Sequence, residues 1–244
     1  MRISVDKFRS IVNFASCSKT INPILLDFRE DGLHVDLADK AFTVGVLGHY
    51  TPKFFEEYEP LGKVKIDVGT ITSILNAVAR VDDVLDVGVK GSKLLIKGKI
   101  DKCRLEQSKS NVYRFGDFVS IKRTSWGYIA LNQRVKRGYE VDFINNFFAD
   151  KKRRTLGFTK SLRFEYGEEL KAVEKTERTV FTRIIRFTKH FGDGNGKIKV
   201  DVKMFNKCFP VIKKGWLVFT DEQVILSRVE ENKMVTYIIY GYGC

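Results

Sequence analysis

The segment Gly62–Val68, with the sequence GKVKIDV, recurs 134 residues later as Gly196–Val202, with the sequence GKIKVDV. Five of the seven residues are identical, and the other two exchange Val for Ile, which are β-branched equivalents. Self-similarity at a long, fixed spacing is typical of a duplicated structural unit. A heptapeptide can also recur by chance, so the residues that follow each copy test whether the repeat is structural.

The residues after the two copies repeat the same pattern. Apolar residues fall at i, i+3, i+4 and i+7, which is the spacing of one face of an amphipathic helix. In the first half these residues are Ile71, Ile74, Leu75 and Val78, and in the second half they are Phe205, Cys208, Phe209 and Ile212. Strand-like segments follow at 84–89 and 94–97 in the first half, and at 216–220, 223–229 and 235–240 in the second. Both halves of the chain therefore end with the same unit, a helix followed by strands.

The openings of the two halves also correspond. In the first half, a helical stripe formed by Phe8, Ile11, Val12 and Ala15 follows Asp6, which is the predicted N-cap. A strand at Ile24–Phe28 then leads to a turn at Glu30–Gly32. In the second half, we predict a helix over Val141–Ala149 and a strand over Ser161–Tyr166.

This order of elements predicts an α+β fold made of two tandem related domains. Each domain would consist of antiparallel sheets with two helices packed on one face, since strands outnumber helices and follow one another at hairpin spacing. We place the N-terminal domain at residues 1–106 and the C-terminal domain at 125–244. The segment between them, 107–124, is polar without clear periodicity and is predicted to be an extended connector.

The charge of the chain is positive and uneven. The 43 Lys and Arg residues exceed the 30 Asp and Glu residues, which gives a net charge of +13. Residues 1–120 contribute only +2, whereas residues 121–244 contribute +11. An excess of this size favours a polyanionic partner, with nucleic acid first and an anionic membrane surface second, although a merely soluble basic surface is an alternative.

The amino-acid composition limits the classes of protein to which the chain can belong. Apolar residues make up 43% of the 244 residues, which is enough for a core. The sequence has neither a bilayer-length apolar run nor an apolar segment of a secretory signal at its start, so we expect a soluble intracellular protein of the cytoplasm or nucleus, without membrane contact. The scattered Cys17, Cys103, Cys208 and Cys244 suggest reduced thiols rather than a zinc site or a disulfide framework.

The exposed helix faces carry the candidate nucleic-acid contacts. In the second half, one line along the predicted helix holds Lys203, Lys207, Pro210 and Lys214, with Lys213 beside it. In the first half, the equivalent line holds Gly69, Ser73, Asn76 and Arg80, and the opening helix offers Lys7 and Arg9. Basic residues on one face suit phosphate contacts, although a solvated face is the alternative. Pro210 is expected to kink or shorten its helix.

The densest basic run is Lys151-Lys152-Arg153-Arg154, at the end of the predicted Val141–Ala149 helix. Positive charge there complements the helix dipole. The run is compatible with phosphate binding, with a nuclear-import signal or with simple solvation.

An enzymatic function is not indicated. His34, His49 and His190 are isolated in sequence, and none of the common nucleophile, metalloprotease or phosphate-loop motifs occurs. Asp82, Asp83 and Asp86 are a conceivable metal site, but their position in a helix-to-strand turn favours solvation. We therefore predict no catalytic residues, no metal site and no cofactor.

Part of the sequence resembles the DNA sliding clamps of archaea and eukaryotes, typified by proliferating cell nuclear antigen. The resemblance rests on Leu26–Val35, Asp39 and the F-x-x-Y-like segment Phe54–Tyr58, which occur in the clamp order and at similar spacing, and it continues over Lys63–Lys97. It covers about 100 N-terminal residues, is recognisable again from Lys197 to Tyr240 and is weak between.

The resemblance implies a polymerase processivity factor: a homotrimer of two-domain subunits that closes head to tail around double-stranded DNA. Basic helices would line the channel, and Arg9, Ser73, Asn76, Lys203, Lys207 and Lys214 match lining positions. A clamp loader, a DNA polymerase and other clamp-binding proteins are the implied partners. Subunit contacts would use edge strands, which we place near 111–115 and 182–188.

In the family, partners insert a short hydrophobic motif into a pocket formed by the connector, a nearby loop and the C-terminal tail. The matching residues are Val44, Phe115, Phe118, Val119, Tyr240 and Tyr242, and the alternative is that these aromatic residues pack within the sheets. Two features depart from the family: Tyr240-Gly241 replaces the usual Ala-Pro, and the chain is basic overall, whereas cellular clamps are acidic. A virus- or plasmid-encoded clamp would fit, as would a monomeric or dimeric, non-encircling DNA-binding or regulatory protein of clamp-like fold.

Overall fold

In the computed structural model, the described residues are 1–79, 81–99, 102–147, 161–175 and 179–242. The chain divides into two compact units. The first unit comprises Met1–Lys40, Val46–Asp117 and Glu230–Met234, and the second comprises Ala41–Gly45, Phe118–Val229 and Val235–Cys244. None of the described helices is long and apolar enough to cross a membrane.

In the described residues of the first half, the structure has two α-helices and eight strands. In chain order they are β1 Arg2–Ser4, α1 Val5–Ala15, β2 Ile24–Arg29, β3 Gly32–Ala38, β4 Val44–Tyr50, β5 Gly62–Ile66, α2 Val68–Val78, β6 Val84–Lys90, β7 Lys93–Lys97 and β8 Lys102–Glu106. Four strands form an antiparallel sheet in the order β1-β6-β7-β8. Strand β2 pairs with β3 on one side and with β5 on the other.

The second half repeats this plan with additional short strands. Its elements are β9 Ile121–Arg123, β10 Tyr128–Ala130, β11 Arg137–Asp142, α3 Phe143–Phe147, β12 Ser161–Tyr166, β13 Leu170–Lys175, β14 Val180–Ile184, β15 Phe187–Phe191, β16 Gly196–Asp201, α4 Val202–Ile212, β17 Lys214–Phe219, β18 Gln223–Glu230 and β19 Lys233–Tyr240. The strands run in the orders β14-β13-β12-β16 and β15-β11-β17-β18-β19. The fold is therefore α+β with mostly antiparallel sheets and two tandem related units, as predicted.

The repeated heptapeptide encodes the same junction twice. In each copy the strand ends at an Asp that caps the following helix: the Asp67 carboxylate accepts a hydrogen bond from Thr70 N at 2.8 Å, and the Asp201 carboxylate accepts one from Met204 N at 2.8 Å. An N-cap carboxylate satisfies one of the backbone N–H groups that the first helical turn leaves without a partner. Helices α2 and α4 therefore begin at equivalent positions, directly after the capping Asp.

Both predicted apolar stripes face the core, although Ile74 of the first stripe is only partly buried. Ile71, Leu75 and Val78 on α2 are at most 3% exposed. In the second unit, α4 packs on α3 through an aromatic cluster whose ring centroids lie 5.2 to 5.4 Å apart, formed by Phe147, Phe164, Phe205 and Phe209. Aromatic rings at these separations contribute dispersion and edge-to-face attraction beyond the area that they bury.

Several local predictions need correction. Helix α1 begins at Val5 and its N-cap is Ser4, whose hydroxyl accepts a hydrogen bond from Lys7 N at 3.2 Å, so Asp6 lies in the first turn rather than at the cap. Helix α3 starts only at Phe143 because β11 continues to Asp142, and the predicted residues 148 and 149 lie outside the described part of the chain.

The segment near 111–115 is not an edge strand. Tyr113 forms an isolated bridge with Ala38 of its own unit, and the Ala38 N–H donates to the Tyr113 carbonyl at 2.9 Å. A single 3-10 turn follows at Phe115–Asp117. The backbone that was predicted to be available to a neighbouring subunit is therefore already partly used.

We predict that the cap at Asp201 contributes measurably to stability. Replacing Asp201 by Ala removes the acceptor for Met204 N and should lower the free energy of unfolding by about 1 kcal/mol. Replacing it by Asn, which also caps helices, should cost much less. Urea denaturation followed by circular dichroism measures both variants, and an equal loss in the two would contradict a capping role.

Candidate nucleic-acid and partner interfaces

Helix α4 is the basic helix of the second unit. Phe205 and Ile212 on its apolar side are fully buried, whereas Lys203 is exposed in the first turn and Lys207 is half-buried one turn later. Residues at i and i+4 share one helix face, so the two amines lie along one side. Amines in this arrangement bind phosphate oxygens without reading base sequence.

The predicted line of lysines does not continue along this helix to Lys214. Helix α4 ends at Ile212, two residues after Pro210, and Lys213 follows with φ of +61° at the C-cap. Lys214 is already the first residue of β17. Pro210 lies inside the helix, and α4 has the same length of 11 residues as α2, so the expected shortening is not observed. Lys213 and Lys214 are nevertheless both exposed, so basic groups lie at both ends of α4.

The candidate cations of α1 are engaged in ion pairs. Lys7 Nζ lies 3.1 Å from a carboxylate oxygen of Glu56, and Arg9 Nη1 lies 2.9 Å from Asp6. Arg9 Nη2 also donates to the Leu75 carbonyl at 3.3 Å. These acidic partners offset part of the positive charge that α1 would present to a polyanion.

Helix α2 presents an uncharged polar face. Gly69, Ser73 and Asn76 are exposed along it, as the sequence predicted. Arg80, which was predicted to end this line, and the basic run Lys151–Arg154 lie outside the described residues. In the described helices, exposed positive charge is therefore concentrated on α4 and at its ends.

A separate apolar surface lies in the second unit. A cavity of about 360 Å³ is lined by Phe118, Val119, Ser120, Leu131 and Asn132. Phe118 and Leu131 are each 62% exposed, which is unusual for large apolar side chains. Exposed apolar groups around a concave surface are typical of a site that binds an apolar segment of another molecule.

The loop before β4 supports this apolar surface. The ring of Phe42 packs on Phe118 with centroids 4.2 Å apart. Phe42 has φ of +54°, and the carbonyl of the next residue, Thr43, accepts a hydrogen bond from Tyr240 N at 3.2 Å. The loop is thus held to the end of β19, near the half-buried Tyr240 and the exposed Tyr242. Burial raises the pKa of Tyr240, so its hydroxyl remains neutral at physiological pH.

The structure assigns the predicted pocket residues to two groups. Phe118, Val119 and Tyr242 are accessible, whereas Val44 is fully buried and Phe115 is 1% exposed. Val44 and Phe115 are therefore core residues in this structure, and their role as partner contacts stays a prediction. Sequence reasoning missed Phe42 and Leu131. The available signal was that each is a large apolar residue in a short polar stretch next to a strand.

Each of the two four-stranded sheets has an open edge in the described part of the chain. The outer edge of β1 is covered by a bridge between Arg2 and Glu57, which leaves β8 as the free edge of its sheet. The outer edge of β16 is covered by a bridge between Lys199 and Tyr242, which leaves β14.

Strand β14 is also apolar on its exposed faces. Val180, Phe181 and Ile184 are 56%, 40% and 62% exposed. An apolar strand with an unpaired backbone edge is a template for pairing with another chain.

The structure brings together two histidines that are isolated in sequence, and it contradicts the expected solvation of Asp82. His34 and His49 are 15 residues apart in sequence, but their ring centroids lie 4.6 Å apart in the structure. Asp82 is not solvated, because it is 4% exposed and its carboxylate accepts a hydrogen bond from Lys99 N at 3.0 Å. It therefore serves the turn that follows β7.

Comparisons with solved structures identify the architecture. The structure matches the proliferating cell nuclear antigen (PCNA) of Entamoeba histolytica with a TM-score of 0.77 and 15% identity, covering 99% of this chain and 98% of that one. It matches A. fulgidus PCNA bound to the C-terminal region of FEN-1 with a TM-score of 0.74 and 15% identity, over 100% and 98% of the two chains. It matches the PCNA2–PCNA3 complex of Sulfolobus tokodaii with a TM-score of 0.74 and 16% identity, over 99% of each. This chain has the PCNA sliding-clamp fold.

The comparisons of sequence alone find no match for this chain. No family model matches the chain, and no curated protein matches it in sequence. The match covers 99% of this chain and 98% and 99% of the two compared chains. The divergence is therefore in the residues and not in the architecture.

We predict that truncating Phe115 and truncating Phe118 change the stability of the protein by very different amounts. Phe115→Ala should lower the free energy of unfolding by about 3–5 kcal/mol, because a buried ring is replaced by a cavity. Phe118→Ala should lower it by less than about 1 kcal/mol, because its ring is mostly exposed. Urea denaturation of the two variants tests the assignment of one residue to the core and the other to the surface, and equal losses would contradict it.

Proposed function

We propose that this protein is a homotrimeric DNA sliding clamp that encircles duplex DNA and tethers a DNA polymerase and other replication proteins. The observation that carries the proposal is the end-to-end match of both units to PCNA chains. We retain the expected division into an N-terminal clamp domain of 1–106, a connector of 107–124 and a C-terminal clamp domain of 125–244. In this role the protein performs no chemistry.

The charge distribution supports contact with DNA through α4. Lys203, Lys213 and Lys214 are exposed, whereas Lys7 and Arg9 have acidic partners at 3.1 and 2.9 Å. A ring retains DNA by topology, so a few weak phosphate contacts suffice and leave the ring free to move along the duplex. Arg80 and Lys151–Arg154, which lie outside the described residues, remain proposed contacts.

The open edges of β8 and β14 support ring closure. Each belongs to a different unit of the chain, so pairing β14 of one copy with β8 of the next would join copies head to tail. A heterologous contact of this kind closes into a ring when its rotation is a simple fraction of a turn. The apolar side chains of β14 would lose their water on pairing, which favours association.

The apolar cavity beside Phe118 supports the binding of partner proteins. It has the size and lining expected for a few apolar side chains of a short segment. One of the similar structures contains a PCNA bound to the C-terminal region of FEN-1, so a solved clamp of this fold does accept a protein segment. Clamp-binding proteins and a clamp loader are therefore proposed partners.

A second candidate function is supported by the charge of the first unit. Its helices present an uncharged α2 face and ion-paired cations on α1, so half of a ring channel would lack the usual positive lining. A monomeric or dimeric protein that binds DNA with one basic side, without encircling it, would need no such lining. Subunit number separates the two candidates.

We predict that the chain forms a trimer and that the edge of β14 is required for it. Light scattering behind size-exclusion chromatography should give three times the monomer mass of 28.1 kDa. Ile184→Asp should give monomers, because it places a charge on the exposed apolar edge. Val229→Asp, a matched change at another exposed apolar residue, should leave the trimer intact. A wild-type monomer, with or without DNA, would exclude the ring and favour the second candidate.

We predict that DNA binding depends on the position of the lysines and not only on their number. Replacing Lys203, Lys213 and Lys214 by Ala should weaken duplex binding. It should also reduce the slope of log affinity against log salt by about 0.9 for each phosphate that the variant no longer neutralises. Fluorescence anisotropy at several salt concentrations measures both quantities.

The matched control replaces three exposed strand lysines of the second unit: Lys122, Lys175 and Lys189. Both triple variants have the same net charge, so only the position of the removed amines differs. Equal weakening in the two would indicate a diffuse electrostatic effect and contradict a specific α4 interface.

A further inference from the structure

A cluster of two histidines and a carboxylate lies at one end of the β2–β3 hairpin. His34 Nε2 lies 2.8 Å from Asp31 Oδ1, and His49 Nε2 lies 3.8 Å from Asp31 Oδ2. One potential ligand atom from each of the three residues lies within 4.8 Å of the other two. All three residues belong to the first unit.

The local fold forces these residues together. Asp31 is in the turn between β2 and β3, His34 is on β3 and His49 is on β4. Gly32 has φ of +131°, and a Cβ atom there would lie 2.2 Å from the Tyr50 carbonyl oxygen. Only glycine permits this conformation and this approach. The turn is thereby held against the end of β4, where His49 lies.

We infer that Asp31, His34 and His49 bind one divalent transition-metal ion of the zinc type. Zinc–nitrogen and zinc–oxygen bonds are about 2.0–2.2 Å long, so ligand atoms around a tetrahedral ion are about 3.4 Å apart. The observed separations of 2.8 and 3.8 Å bracket this value. All three ligand atoms lie within 4.8 Å of one another, so modest side-chain rotations of Asp31 and of the histidines would be needed to reach the ligand geometry.

The donor set selects the class of ion. Two imidazole nitrogens and one carboxylate suit zinc and its neighbours, whereas magnesium and calcium take oxygen ligands almost exclusively. Three protein ligands leave a fourth position for water. The cysteines do not belong to this cluster, so the site requires no thiolate.

The exposure of the three residues is graded. The side chain of Asp31 is 64% exposed, that of His34 is 26% exposed and that of His49 is 10% exposed. An ion can therefore approach from the Asp31 side, while His49 provides a rigid inner ligand. The open side leaves room for the water ligand.

The charges around the site are compatible with a cation. The hydrogen bond from His34 holds the pKa of Asp31 below its ordinary value, so this ligand is ionised at neutral pH. Asp27 lies directly opposite His34 on β2 and pairs with Arg29 at 2.7 Å. The Tyr58 hydroxyl donates to the Arg29 carbonyl, and burial followed by the charges of Asp31 and Asp27 raises its pKa to about 12, so it stays neutral.

Binding of the metal ion would affect both the fold and the protonation of the two histidines. The ion would join the β2–β3 turn to β4, and so brace one end of the sheet of the first unit. It would replace the hydrogen bond between His34 Nε2 and Asp31 Oδ1 at 2.8 Å and the one between His49 Nε2 and the Asp31 carbonyl at 3.1 Å. Both imidazoles must be unprotonated at the ligating nitrogens. This inference does not depend on the proposed clamp function.

The test is calorimetric titration of Zn²⁺ into the full-length protein at pH 7.5. We expect one ion per chain, and a raised midpoint of thermal unfolding in its presence. His34→Gln and Asp31→Asn should each weaken binding at least about tenfold, since loss of even an outer partner of a metal ligand costs 10–100-fold. Circular dichroism establishes that both variants are folded.

The third histidine supplies the matched control. His190 is exposed on β15, in the second unit, so His190→Gln should bind Zn²⁺ within about twofold of the wild type. With Co²⁺ in place of Zn²⁺, the absorption spectrum should lack the sulfur-to-metal charge-transfer band that ligation by Cys103 would produce. Wild-type protein that binds no Zn²⁺ at millimolar concentration, or binding that His34→Gln and Asp31→Asn leave unchanged, would overturn the inference.

Discussion

The structure depends on a carboxylate that accepts a backbone hydrogen bond at the start of the second helix in each unit. Asp67 and Asp201 end their strands and cap α2 and α4 at the same distance of 2.8 Å. The cap fixes where the helix begins, and therefore which residues of the apolar stripe face the sheet and which face water. The position of the cap therefore also decides which residues of α2 and α4 face water and are candidate DNA contacts.

Helices α2 and α4 begin at equivalent positions, but they present different surfaces to the solvent. The outward residues of α2 are small and uncharged, whereas α4 and its ends carry exposed lysines. The net charge of +11 in residues 121–244 is thus partly concentrated at one helix. A sequence-independent phosphate contact needs only positive charge at the right distance, so two units with one fold can contribute unequally without any change in backbone.

The apolar surfaces show how packing divides residues that look alike in sequence. Phe115 and Phe118 are three residues apart, but one is 1% exposed and the other 62% exposed. The connector has no regular period, so neither composition nor spacing could predict which ring enters the core. The sequence did locate the connector that contains both rings. The assignment of each ring required the positions of the surrounding strands and of Phe42, which packs on Phe118.

The sequence alone determined the duplicated α+β units, the second helix of each unit and most strand positions, because caps, apolar stripes and alternation are local patterns. It also indicated Lys203 and Lys207 as residues of one helix face. Only the tertiary structure decided that Lys7 and Arg9 are ion-paired, that Val44 is buried and that His34 and His49 meet beside Asp31. These relations join residues of different elements, and their distances are set by strand register and by the close approach at Gly32, which no local pattern encodes.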